Sequence, residues 1–288
     1  MYKALSPGAV HCRPGTLREA IALAKRHRFG GVEFNPRDVR AIDGEFGAGT
    51  VRGWFEEAGI RPAGFGLPVD WRGDEGKWRE GLQGLPAVAR AAAALGCRRC
   101  MTWILPSSDD LERDENWAFH AKRFTPIAKI LGEHDISLGL EFIGPKTMRE
   151  ARKHIFIWRM EEMLALGQEI GPNVALLLDV WHWYTSGGTL EQVRALRPEQ
   201  VVYVHVSDAP AGIHVDEQID NQRALPGETG VIDIAGFLRA LDAIGYDGPI
   251  TAEPFKAELK ELPSDDARLE KISASLDAIF QRAGLTPL

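Results

Sequence analysis

Short apolar runs alternate with longer amphipathic stretches along the whole chain. The runs fall at residues 2–5, 31–34, 59–67, 100–105, 136–142, 174–180, 201–206 and 249–255. Helical spacing fills the gaps at 16–27, 51–58, 78–95, 117–134, 158–170, 190–195 and 234–244, and a last helix is expected at 267–283. Runs such as VALLLD and VVYVHV lack polar alternation, which marks strands buried on both faces and therefore a parallel sheet. Strands that alternate with helices form βαβ units. Eight such units predict a single (β/α)₈ TIM barrel of the α/β class, one domain spanning residues 1–288. A doubly wound sheet would need a glycine-rich phosphate turn after the first strand, and SPGAVHCRPG is not one. Neither a P-loop nor a G-x-S-x-G elbow is present in the sequence.

Composition narrows the function. The chain has 288 residues, 44% hydrophobic and 26% charged, which excludes a mainly disordered protein. Its net charge of −7 disfavours a nucleic-acid partner, because phosphate affinity comes mainly from Lys and Arg. No apolar run reaches the roughly 18–20 residues of a membrane helix, and the start carries no signal-peptide core. The three cysteines, Cys12, Cys97 and Cys100, cannot all pair, so a reduced, cytoplasmic protein is expected. Cys97 and Cys100 form a CxxC without a second pair, and a plain packing role is expected for them.

In a barrel of this kind, chemistry sits at the carboxyl ends of the strands. The fifth run ends in Glu141, the sixth in Asp179, the seventh in His205 and the eighth in Glu253. One Asp or Glu at a strand end is usually a helix cap or an ion-pair partner. Four ligand-type residues in succession point instead to a shared divalent ion, which relieves three negative charges at once. Three carboxylates and one imidazole suit Mn²⁺ best, with Mg²⁺, Co²⁺ or Zn²⁺ as alternatives.

The segments LEFIGPK, DVWHWY, VHVSDAP, RALPGETG and TAEPF resemble the sugar isomerase/epimerase branch of the xylose-isomerase-like barrels. That group includes ketose 3-epimerases, inosose dehydratases, hydroxypyruvate isomerase and relatives of endonuclease IV. The resemblance implies Glu141, Asp179, His205 and Glu253 as metal ligands, and His182 and Arg223 as substrate contacts. A second glutamate that binds substrate in the epimerases is replaced here by Thr147, and the loop 207–223 is longer than theirs.

The chemistry expected is that of a divalent-metal-dependent isomerase or epimerase acting on a ketose or related α-hydroxycarbonyl. A sugar or polyol is the small-molecule partner; a homo-oligomer is allowed. Glu141 and Glu253 would act as the acid/base pair around an enediolate held on the metal. Trp103 is expected to line the substrate face, with Phe142, Trp181, Trp183 and Phe255 as further aromatics near strand ends. Glu33 ends the second run, and is weighed equally as a substrate contact and a structural ion pair. His11, His214 and Asp216 stand outside the core site. The basic stretch Lys146, Arg149, Arg152, Lys153 and His154 is read as a solvated face before a phosphate site. Loops 106–116 and 207–223 are expected as lids. The same ligand set also fits a metal-dependent lyase or dehydratase of an inosose or keto-glycoside. An endonuclease IV-like enzyme is the remote alternative, because GLPVD and TWILP lack its histidines.

Overall fold

A computed structural model of the chain describes residues 1–288, apart from the side chains of Arg37, Ala41, Ile42 and Asp43. Eight parallel strands close into a barrel. They are β1 (Tyr2–Leu5), β2 (Gly31–Glu33), β3 (Arg61–Gly66), β4 (Arg99–Ile104), β5 (Ser137–Phe142), β6 (Val174–Asp179), β7 (Val201–Val206) and β8 (Pro249–Ala252). Around the barrel the order is β1-β8-β7-β6-β5-β4-β3-β2, so every strand pairs with its neighbours in sequence. Each expected run overlaps one of these strands. The eighth stops at Ala252 rather than continuing to Phe255, which has a positive φ of 42°.

Two apolar cores follow from the alternation along each strand. One face packs under the helices, with Phe65, Ile104, Phe142 and Val204 in that large outer core. The other face fills the narrow lumen with Tyr2, Ala4, Ala63, Met101, Leu177 and Tyr203. Two tyrosines fit there because glycine stands opposite them. A Cβ on Gly31 would lie 2.7 Å from the Tyr2 ring, and one on Gly64 would lie 3.1 Å from the Tyr203 ring. This plug forms the floor of the site. The Tyr203 ring stands edge-on to His205 at 5.6 Å, and its hydroxyl meets Thr251 Oγ1 at 2.8 Å.

The helices begin at side-chain caps: Thr16, Asp74, Thr189, Asp233 and Ser264 each accept a hydrogen bond from the first turn. Helix Glu75–Ala94 starts earlier than its apolar spacing suggests because Asp74 caps it. Helix Pro36–Glu45 has no counterpart among the expected helices.

The two long loops are fastened rather than free. In the first, Ser107–Ser108 pairs antiparallel with His154–Ile155, and Ser107 Oγ donates to the Met148 carbonyl at 2.9 Å. The second rests on helix Lys146–Arg149, where Thr147 Oγ1 donates to the Gln218 carbonyl at 2.8 Å. Lys146 and Arg149 both face Asp216, at 3.6 and 3.9 Å. Two cations of the basic stretch therefore hold a loop.

The far end of that loop is pinned by Asp208, which is fully buried. Its Oδ1 accepts from the backbone N–H groups of Ala209 and Ile232, and its Oδ2 from those of Thr229 and Gly230, at 2.7–3.1 Å. Asp208 and Ala224 also exchange backbone hydrogen bonds of 3.0 and 2.8 Å. Removing this carboxylate orphans several buried donors at once. Asp208→Ala is expected to lose more than about 3 kcal/mol of unfolding free energy, and Asp208→Asn, which keeps one acceptor, clearly less. Urea unfolding followed by tryptophan fluorescence checks both.

Candidate metal centre

Lumen-facing positions at the carboxyl ends of adjacent strands are forced together by register. Trp103 on β4 is level with Glu141 on β5, and Asp179 on β6 is level with His205 on β7. Glu253 follows β8 directly, its backbone N–H still bonded to the Val206 carbonyl at 3.1 Å. One ligand atom each from Glu141, Asp179, His205 and Glu253 lies within 4.8 Å of the others. His205 Nδ1 is 3.5 Å from Glu141 Oε1, 4.0 Å from Asp179 Oδ2 and 3.2 Å from Glu253 Oε2.

The donor chemistry fits a divalent ion. Glu141 Oε1 and His205 Nδ1 are buried with no hydrogen-bond partner, a costly arrangement that a cation between them would relieve. Oxygen donors predominate, as hard divalent ions prefer.

The four groups differ in how they are compensated. Burial pushes the Glu141 carboxyl up, opposed by His205 and aided by Glu253 and Asp179, to about 8. Burial also acts against the Asp179 charge, but Arg223, His182 and His205 outweigh it and hold that carboxyl at about 2. For His205, burial disfavours the cation, yet Glu253 and Glu141 raise it well above its ordinary value. Asp179 plays two parts at once. Its Oδ1 caps helix Val180–Thr185, accepting from the N–H groups of Trp181 and His182 at 2.6 and 3.1 Å, while Oδ2 faces the cluster.

Arg223 is buried. Its Nη1 donates to Asp179 Oδ2 at 2.8 Å and its Nη2 to Asp220 Oδ1 at 2.6 Å. The guanidinium lies over Trp181 and Phe255, at 4.6 and 4.9 Å from the ring centroids. His182 completes this group, with Nε2 3.1 Å from Arg223 Nη2 and Nδ1 accepting from the Gly144 N–H at 3.3 Å. Gly144 is needed here because a Cβ would come 2.2 Å from the His182 carbonyl oxygen.

Of the expected aromatics, Trp103 is 43% exposed at the barrel mouth. Phe142, Trp181 and Trp183 pack in the outer core instead. His214 Nδ1 accepts from the Asp216 N–H at 3.3 Å within its own loop. The three cysteines are buried thiols, and burial lifts Cys97 to about 12.

Glu33 carries more than the sequence assigns to it. Its Oε2 accepts from Ser6 Oγ at 2.7 Å, and its Oε1 is buried without a partner. Burial raises its pKa, and His205 and Tyr203 are among the groups it feels. With Ser6, Phe34 and Gly66 it lines a cleft of about 670 Å³ beside β1, β2 and β3. An acid after a two-residue apolar run gives little sign of this position.

Two outcomes follow from the charges. A metal ion entering this centre displaces protons from Glu141 and His205. Apparent Mn²⁺ affinity should therefore rise steadily between about pH 6 and pH 9, with proton release seen by calorimetry in buffers of different ionisation enthalpy. Arg223→Ala strands a buried Asp179, so it should cost about 3–5 kcal/mol of stability, measured by urea unfolding.

A family model described as a xylose isomerase-like TIM barrel matches residues 21–279. The inosose isomerase of Bacillus velezensis is 22% identical over 255 residues, 87% of each chain. The 3-dehydroshikimate dehydratase of Pseudomonas putida is 29% identical over 140 residues, 47% of this chain and 21% of that one. A solved xylose isomerase domain protein from Alicyclobacillus acidocaldarius superimposes with a TM-score of 0.84 at 30% identity, covering 98% of this chain and 99% of its own. By barrel, strand-end residues and this likeness together, the chain belongs to the xylose isomerase-like TIM barrel family.

Proposed function

We propose that this protein is a divalent-metal-dependent isomerase or epimerase of a ketose or keto-polyol, with the whole chain acting as one barrel domain. The observation that carries the reading is the convergence of Glu141, Asp179, His205 and Glu253 within 4.8 Å at the mouth of the lumen. The inosose isomerase likeness over most of the chain supports it. Mn²⁺ is the first choice of ion, and the buried, unpaired cysteines suit the reducing cytoplasm.

A divalent ion bound here supplies Lewis acidity, making the C–H beside a substrate carbonyl more acidic. The residues supply the rest. Glu141 and Glu253 enter from β5 and from the end of β8, on either side of β6 and β7 in the barrel order. Each can present an oxygen to a different face of the substrate. One takes the proton from carbon, and the other returns it. Return to the same carbon epimerises; return to the neighbouring carbon isomerises. Arg223 and His182 hold a substrate oxygen on which negative charge builds. Trp103 covers an apolar sugar face, and Glu33 accepts from a hydroxyl.

A second reading rests on the dehydratase likeness, which spans a shorter part of the chain at higher identity. The same proton removal followed by loss of a β-hydroxyl would make the enzyme a lyase.

The deciding experiment incubates Mn²⁺-loaded protein with ketoses, inososes and keto-glycosides in D₂O, with NMR reading exchange, epimer and elimination product. Deuterium at carbon with an epimer or isomer supports the proposal; an alkene product moves the assignment to the dehydratase. Glu141→Gln and Glu253→Gln, verified as metal-loaded, should each lose at least about 10²-fold in turnover. Near-wild-type turnover in both would remove the two glutamates from the proton-transfer role.

A further inference from the structure

Arg72 stands at the barrel mouth as a cation outside any close ion pair. Its guanidinium is held between two indoles, 4.0 Å from the Trp71 ring and 3.8 Å from the Trp103 ring. It donates one N–H to the Trp103 carbonyl oxygen. Trp71 is a rigid support: it is buried, donates from Nε1 to Thr102 Oγ1 at 3.3 Å, and packs on Phe124 at 4.9 Å. Among the described residues no carboxylate oxygen lies within 4.0 Å of the Arg72 guanidinium. The nearest acid in sequence, Asp70, accepts from the Gly73 N–H instead. Desolvation lowers the Arg72 pKa to about 10 against the opposing charge of Asp70, so it remains a cation at neutral pH.

The position matters. Trp103 is level with Glu141 on the adjacent strand, so the ring that carries Arg72 borders the metal centre. Beyond the N–H given to the Trp103 carbonyl, the guanidinium keeps further donors that make no hydrogen bond among the described residues. An edge with parallel donors matches a carboxylate. The centre is rich in acids, and its field repels an anionic substrate unless a cation is placed to offset it. The other nearby cations are engaged: Arg223 with Asp179 and Asp220, Lys146 and Arg149 with Asp216.

We propose that Arg72 receives a carboxylate of the substrate, so that the keto compound turned over here is a keto acid rather than a neutral ketose. The proposal rests on the isomerase or epimerase reading above and narrows its substrate class. One free cation suits a monoanion better than a phosphate dianion, which usually gathers several donors.

The test compares D-fructose with D-fructuronate, which differs only in having a carboxylate at carbon six, and with D-fructose 6-phosphate. Binding to Mn²⁺-loaded protein is measured by calorimetry. D-fructuronate should bind at least about tenfold more tightly than D-fructose, the gain of one charge-assisted hydrogen bond. Arg72→Gln should erase that ratio while D-fructose binding stays within about twofold, and Arg72→Lys should restore part of it. Metal content and circular dichroism check that the variants are intact. Equal affinity for the two sugars, or an advantage that survives Arg72→Gln, overturns the proposal while leaving the isomerase reading in place. A preference for the phosphate over D-fructuronate overturns the carboxylate assignment. If none of the three binds, the ketose reading falls and the Arg72 assignment falls with it.

Discussion

Three carboxylates packed at one dry end of a barrel repel one another, and the rest of the site is built around that repulsion. Water cannot screen them, so each must be paired, protonated or bound to a cation. The chain solves the problem for one of them. Asp179 receives Arg223 and two backbone N–H groups and stays ionised. Glu141 and Glu253 share His205, which cannot satisfy both, and Glu253 has only the more distant Arg223, 3.6 Å from its Oε2, besides. The imbalance that remains has the sign and size of a divalent ion. A barrel selected for stability alone would have little reason to keep it, because well-packed apolar residues serve as well or better.

The arrangement depends on a loop far from the strands in sequence. Arg223 is placed against Asp179 by the bridge of Ala224 to Asp208, and Asp208 is held by three backbone donors from the turn beyond. The run of influence is therefore turn, Asp208, Arg223, Asp179, metal centre. Asp208 touches none of the ligands, yet it sets where their main counter-charge lies.

Much of this was visible in the residue pattern. Apolar runs without polar alternation marked all eight strands, because a parallel barrel strand is buried on both faces. Their last residues marked Glu141, Asp179 and His205, since a polar residue stands out after such a run. The same lack of alternation hid which face each residue takes. Phe142 and Trp103 both looked like substrate walls, and only the register separates them: Trp103 is level with Glu141, whereas Phe142 turns to the outer core. The basic stretch after β5 was ambiguous for another reason. Its meaning depends on Asp216, some seventy residues on, and no local pattern reports a loop folding back. Arg72 was silent in the sequence because one of its two indoles, Trp103, arrives on β4, some thirty residues on.

The barrel mouth divides into halves with different work. β5 to β8 bring together the four ligand-type residues, and such a set fits almost any reaction that begins by removing a proton beside a carbonyl. The cleft bounded by β1, β2 and β3 contains Ser6 and Glu33, and Arg72 stands close by, beyond the end of β3. These are the groups free to choose a substrate. Whether an enediolate is reprotonated or expels a β-hydroxyl depends on how that hydroxyl is held, and the ligand half is common to both outcomes. A hydroxyl bonded to an ionised Glu33 is stabilised as a donor and is a poor leaving group. One bonded to a protonated Glu33 receives a proton and leaves readily. Burial raises the Glu33 pKa and so favours its protonated form.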